Sequence, residues 1–435
     1  MEPTTVELFS GAAQQRAKDR NWVYAQGFWE SANRALTNHA AAPTAVLFLD
    51  ALNHNAKDVL RRSTKPVRLA SKSLRSRELL WQLLQNPFSA QYEGIRSHYQ
   101  GVLAYSVAEA IWLVQSNPET FTDVLVAYPT VDRRAIAALS SDAQLAKRVT
   151  LMVDSAEHLD LIVEACSGRE SIRVCIDMDM SYRSRLFGHI GVRRSKLYHP
   201  HEVRTFAEQI LEFSQLTLVG LMGYEAQIAG LGNDPQGQAF LAGLETRVIH
   251  QLQRASLTDL RARRTEAVGM LRELAELEFV NGGGTGSIES TILDDSVTEV
   301  AAGSGIFGSH LFDHYREFHP APAAAFALPV VRKPDAHTAT LFGGGWVASG
   351  PAGTSRNPIP VWPEGLKLLD REGVGEVQTP VTGSAAAGLS LGDWVWWRHA
   401  KAGELSEHCQ EFVLILGDLV IGGLLSYRGE GKMFV

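Results

Sequence analysis

Short β-branched and apolar runs alternate with longer helical stretches through the middle of the chain, and this alternation constrains the fold more than any other feature. The runs lie at residues 67–70, 102–105, 124–127, 149–153, 172–176, 216–222, 277–280 and 298–301. Most are separated by roughly 20–35 residues, room for a loop and a crossover helix. Helical patterning fills the gaps at 108–115, 132–141, 157–166, 200–213 and 243–254. Strand–helix alternation of this kind gives a parallel sheet with helices outside it. Eight units over about 250 residues predict a closed (β/α)8 TIM-type barrel; an open doubly wound sheet is the alternative. One further apolar run, Val46-Leu47-Phe48-Leu49, precedes the series. It is either a ninth barrel strand or a partner for the C-terminal region.

That region changes character after His319-Pro320-Ala321-Pro322. It is rich in Gly, Trp and Val, and has strand-like runs at 412–416 and 419–421, which predicts a small, mainly-β domain. Three segments result: a helical segment at 1–43 packing on the β domain, a barrel at 44–318 and a β domain at 319–435. The formal charge of −7 disfavours nucleic-acid and anionic-membrane partners. No apolar run approaches the roughly 20 residues that span a bilayer, and the start of the chain has no signal-peptide pattern. Three cysteines are too few for a disulfide framework. A cytoplasmic protein is expected.

In such a barrel the active site lies at the C-terminal ends of the strands. Lys72 follows the first strand, where partial burial would make its amine a nucleophile. Asn281-Gly282-Gly283-Gly284-Thr285-Gly286-Ser287 follows the seventh strand, and Ala302-Gly303-Ser304-Gly305 the eighth. Glycines let backbone N–H groups approach an anion, hydroxyls add donors, and barrels commonly place phosphate after strands seven and eight. Tyr224 and Glu225 end the sixth strand. Asp177, Asp179, Arg183 and His189 follow the fifth, where Arg183 is a candidate for a carboxylate or a phenolic oxygen.

These residues resemble the fold-type III pyridoxal-phosphate enzymes: alanine racemase, D-threonine aldolase and eukaryotic-type D-serine dehydratase. The likeness starts at Phe48-Leu49-Asp50-Ala51-Leu52-Asn53-His54-Asn55, similar to the group's opening strand and helix, which lie outside the barrel. It implies that Lys72 holds pyridoxal 5'-phosphate as a Schiff base, that Gly284, Thr285, Gly303 and Ser304 contact the phosphate, and that Tyr224 is the aromatic of the sixth strand. Ala301 stands where the racemases have an arginine on the pyridine nitrogen. The group's arginine before the Gly-Val after strand five aligns with His189, with Arg183 as its replacement from a longer loop.

In the C-terminal domain, Gly375-Glu376-Val377-Gln378-Thr379-Pro380 and Leu391-Gly392-Asp393-Trp394-Val395-Trp396-Trp397 resemble the aldolase and dehydratase branch. There a His-x-Asp or His-x-Cys pair binds a divalent metal. His399 matches the histidine, but Lys401 holds the second position, and an ammonium has no lone pair to donate. His408, Cys409, Glu404 and Glu407 are the replacement candidates. The resemblance implies a lyase for β-hydroxy D-amino acids, an aldolase or a deaminating dehydratase, with His399 near the hydroxyl. A racemase and a non-catalytic pyridoxal-phosphate-binding protein are the alternatives. Related enzymes are often dimers, so a homodimer is expected.

Overall fold

The structure is a computed structural model. It describes residues 6–435 except 38, 40–42, 89–93, 167, 169, 185, 231–240, 316, 317 and 402, and only the backbone of 241–250. The first five residues of the start read above therefore lie outside the described residues.

Strand β1 (Thr44–Phe48) opens the ordered core. Strands β2 (Val67–Ala70), β3 (Tyr99–Ala104), β4 (Val124–Val126), β5 (Val149–Val153) and β6 (Ile172–Asp177) follow. A hairpin of β7 (Tyr182–Ser184) and β8 (Gly188–Ile190) comes next, then β9 (Leu216–Gly223), β10 (Phe279–Gly282) and β11 (Glu299–Ala302). Eight of these close a parallel barrel in the order β10-β11-β2-β3-β4-β5-β6-β9. The open sheet is excluded. All eight strands coincide with runs read from the sequence, because strands covered on both faces need apolar residues throughout. Val149–Val153 is buried at every position.

Alternate residues divide the barrel's two packing zones. Ala70, Leu103, Leu125, Met152, Cys175, Met222, Phe279 and Ala301 fill the interior. Their neighbours Leu69, Val102, Val124 and Leu151 join the outer core under the helices. Local signals start those helices: the hydroxyls of Ser106 and Ser155 and the carboxylate of Asp132 each accept a first-turn N–H. The helix expected at 243–254 is part of a longer one, Leu241–Arg272. Among the described residues, no helix is long and apolar enough to cross a membrane.

Strand β1 does not enter the barrel. It pairs antiparallel with β12 (Ala324–Asp335) and parallel with β18 (Glu411–Leu416). It thus lies within the nine-stranded sheet of the C-terminal domain, with β13 (Thr338–Phe342), β14 (Ile359–Trp362), β15 (Leu366–Leu368), β16 (Gln378–Gly383), β17 (Trp394–Arg398) and β19 (Leu419–Leu425). The N-terminal helices pack on this sheet through Trp29, whose ring lies 5.7 Å from Trp396 and 5.8 Å from Phe48. They also touch the barrel layer, because the Leu8 N–H donates to Gln82 at 2.8 Å and Asn53 donates to the Leu8 carbonyl at 2.9 Å.

The β domain grips the turn that carries Lys72. Ser406 Oγ donates to the Leu74 carbonyl at 2.9 Å, and the Tyr427 N–H donates to the Arg75 carbonyl at 2.8 Å. A side chain at Gly403 (φ +94) would overlap the Lys72 carbonyl oxygen. These contacts place one wall of the β domain over the barrel mouth.

Candidate active site

A cavity of about 490 Å³ opens at the C-terminal ends of the barrel strands. Its size suits a cofactor with a small ligand. Lys72 reaches it from the short 3-10 turn Ser71–Ser73, directly after β2. The lysine side chain is exposed, not partly buried as expected, and it lines the cavity.

The loop after β10 is held from behind. The Gly283 N–H donates to Glu225 Oε2 at 2.8 Å, and the Thr291 hydroxyl lies 3.1 Å from Glu225 Oε1. Glu225 is buried and faces the buried Arg264, at 3.2 Å, which also pairs with Asp294 at 2.9 Å. A buried arginine between two carboxylates satisfies charges that would be costly alone. Arg62 adds a hydrogen bond to the Thr285 carbonyl at 2.7 Å. Thr285 Oγ1 then lies 3.1 Å from Ser304 Oγ and accepts from the Gly305 N–H at 3.2 Å, so the loops after β10 and β11 form one unit.

The absence of side chains shapes this unit. A Cβ at Gly303 would stand 2.6 Å from the Ala70 carbonyl oxygen, and one at Gly286 would overlap the Ala229 carbonyl. Gly283 adopts φ +77, a conformation that favours glycine. Gly284, Thr285, Gly303, Ser304 and Tyr224 all line the cavity with Lys72. The cradle of N–H and hydroxyl donors, the amine and the flat aromatic wall fit pyridoxal phosphate in their chemistry. Ala301 also lines the cavity and offers no charge to a ring nitrogen.

Arg183 and His189 are not brought to this site. Both lie on the β7–β8 hairpin, where a longer loop is expected from the sequence. Arg183 packs its guanidinium 3.7 Å over the Tyr198 ring, 3.9 Å from Asp179. His189 Nε2 lies 3.3 Å from the Val192 carbonyl oxygen. The arginine of this segment that lines the cavity is Arg194, which the sequence alone did not single out. The hairpin carries the aligned position outward before the chain returns at 194. Arg194 lies 5.3 Å from the Tyr224 ring and 5.5 Å from the Tyr128 ring. The signal was the Arg193-Arg194 pair directly after Gly191-Val192. Near it, burial and the Asp154 carboxylate raise Asp177 to about 7, against the lowering by Arg194.

His399 does not line the cavity either. It is buried, with Nδ1 3.1 Å from the Ala324 carbonyl oxygen. Burial, then the Arg398 charge, lowers it to about 3, so it is neutral. The other candidate ligands are scattered. His408 stacks on Trp346 at 5.2 Å, Glu407 pairs with Arg75 and Arg428, and burial raises the Cys409 thiol to about 12. Among the described residues, no three His, Cys, Asp or Glu side chains gather as metal ligands would. The donor set does not fit a metal at His399. What the β domain does bring to the cavity is Ser349, Arg356, Lys401 and Glu404.

The architecture is thus a TIM-type barrel with a β domain that walls its mouth. No family model matches the chain, and no curated protein matches its sequence. Solved structures do. A D-threonine aldolase from Filomicrobium marinum is 17% identical with a TM-score of 0.70, over 92% of this chain and 97% of its own. The D-threo-3-hydroxyaspartate dehydratase of Delftia sp. HT23 is 19% identical with a TM-score of 0.62, over 90% and 98%. An alanine racemase from Bacillus anthracis is 13% identical with a TM-score of 0.57, over 90% and 99%. The chain has the fold that these proteins share, fold type III among pyridoxal-phosphate enzymes. The resemblance read from the sequence holds at the level of that fold.

Proposed function

We propose that this protein is a pyridoxal-phosphate-dependent lyase for β-hydroxy D-amino acids, acting by retro-aldol cleavage or by dehydration and deamination. One observation carries the reading: Lys72 shares a cavity with two hydrogen-bonded Gly/Ser/Thr loops whose donors suit a phosphate. The D-configured substrate class is supported by the names of two structural neighbours, the aldolase and the hydroxyaspartate dehydratase.

Bound there, pyridoxal phosphate supplies a conjugated sink for negative charge at the substrate's Cα. The protein's own groups do the rest. Thr285, Ser304 and the Gly303 N–H would hold the phosphate, beside Gly284, whose own N–H donates to Ser287 Oγ at 3.1 Å. Lys72 would be the cofactor's attachment point and, in the dehydration, the base that holds the Cα proton, whereas the cleavage needs a base at the β-hydroxyl. Arg194 and Tyr224, which line the cavity together, would hold the cofactor's phenolic oxygen and its ring. The β domain offers the substrate Ser349, Lys401 and Glu404, which line the cavity, in place of His399, which does not. A racemase needs a second base across the ring, and the β domain's cavity residues include no tyrosine among the described residues.

The test is spectroscopic and then chemical. Protein loaded with pyridoxal phosphate should show a visible absorption band, borohydride should bleach that band while linking the cofactor covalently to Lys72, and Lys72→Ala should lack the band. Equal bands in the two proteins sink the reading. Glycine released from D-threonine marks the aldolase, and ammonia from D-serine marks the dehydratase.

A further inference from the structure

The wall that the β domain lays over the cavity carries cations without carboxylate partners. Lys401 Nζ donates to Ser349 Oγ at 3.0 Å. Among the described residues, neither Lys401 nor Arg356 is in an ion pair, whereas Arg75 at the same mouth is paired with Glu407. Arg356 Nε is buried and has no hydrogen-bond partner among the described residues. The one acid of this wall, Glu404, is already engaged: its Oε1 accepts the Ser349 N–H at 2.9 Å.

The cations also feel one another. The Lys401 ammonium is held below its ordinary range, first by burial, then by the charges of Lys72 and Arg356, against the opposing pull of Glu404. Like charges gathered around a desolvated cavity repel, and an entering anion relieves that repulsion. The cofactor's phosphate does not supply this anion, because its donors lie on the barrel loops at Thr285 and Ser304. The formal charges then set the size of the missing group. Lys401 and Arg356 contribute two positive charges and Glu404 one negative, so a single carboxylate balances the wall.

Position identifies which carboxylate. An amino acid that exchanges with Lys72 brings its nitrogen to the Lys72 site, and its α-carboxylate is one carbon away from that nitrogen. Lys401 and Arg356 line the same cavity as Lys72. We propose that Lys401 and Arg356 form the receptor for the substrate's α-carboxylate, so that this chain uses an anion-binding lysine where the resemblance puts a metal ligand. The proposal rests on the reading of the cavity as an amino-acid site.

The test compares D-alanine with D-alaninamide, which share an amine and a side chain but differ in the carboxylate. Dissociation constants are measured by calorimetry on loaded wild type, Lys401→Met, Lys401→Arg and Arg356→Met. Wild type should bind D-alanine at least about tenfold tighter than the amide, as one charge-assisted contact predicts. Lys401→Met and Arg356→Met should each bring the ratio close to one by weakening D-alanine alone, and Lys401→Arg should keep most of the preference. A ratio near one in wild type, or a wild-type ratio retained in both Met variants, overturns the receptor. The Lys72 absorption band is read separately. Its absence from wild type overturns the proposed function, and the ratio measured on that same protein still decides the receptor.

Discussion

The two ends of the barrel treat arginine and lysine in opposite ways. At the closed end, Arg68 is fully buried inside the barrel and its charge is met by two carboxylates, although its Nη1 has no hydrogen-bond partner among the described residues. It meets Glu299 at 2.6 and 3.0 Å and Asp123 at 2.6 Å, and Asn281 donates to Glu299 at 2.8 Å. Gly101 (φ +65) leaves the space, since a Cβ there would stand 2.6 Å from Arg68 Nη1. At the open end, Arg194, Arg356 and Lys401 line the cavity without an ion pair among the described residues. Charge that is fully paired inside the protein serves the fold; charge left unpaired around a cavity is kept for a ligand.

That contrast breaks first at the closed end. Glu299→Ala leaves Arg68 buried with Asp123 alone, and Asp123 is partly exposed. Removing one partner of a buried pair costs about 3–5 kcal/mol, because the remaining charge is uncompensated. Urea unfolding should show a loss of that size. A loss below roughly 1 kcal/mol would mean that the closed-end cluster is not structural.

A smaller effect is expected behind Lys72, where Glu109 is buried beside Ser71. It accepts from the Tyr105 N–H at 2.7 Å and from the Tyr427 hydroxyl at 2.8 Å. Burial raises its carboxyl from 4.5 to about 7, against the lowering by these donors. The folded chain then keeps a proton that the unfolded chain has released. This contribution is complete below about 4.5 and is lost as the pH rises through about 7. Glu109→Gln imitates the protonated form and lacks the loss. The stability of wild type relative to the variant should therefore fall across that window, by up to roughly 3 kcal/mol. A difference independent of pH would show that Glu109 does not hold the proton.

The comparison also explains what was legible in the sequence. The barrel strands were readable because burial on both faces leaves a local trace, an unbroken apolar run. The place of Lys72 and of the loops at 283–286 and 303–304 at the barrel mouth was readable because each sits a fixed step after such a run. Strand β1 left the same trace as a barrel strand, and it was the resemblance, not the run itself, that set it outside the barrel. Arg194 was missed because the β7–β8 hairpin displaces the chain between the strand and the arginine. Ser349 and Arg356 were missed because they reach the cavity only through packing of the β domain on the turn at Lys72. His399 failed for the converse reason: its motif was local, but the sheet turns its ring into the core.

The mouth should answer in the opposite currency from the closed end, and Arg194→Met is the cleanest instance. Arg194 rests on the Tyr128 and Tyr224 rings at 5.5 and 5.3 Å, and its removal breaks no ion pair among the described residues. The methionine keeps an apolar stem against the rings. Stability should therefore change by no more than about 0.5 kcal/mol. Pyridoxal phosphate, titrated through the Lys72 band, should bind about tenfold more weakly, since a charge-assisted contact is worth on the order of 1.5 kcal/mol or more. If the variant instead unfolds easily and binds the cofactor normally, the two ends do not differ in purpose. Arg194 is then a structural residue like Arg68, with its support coming from the aromatic rings rather than from carboxylates.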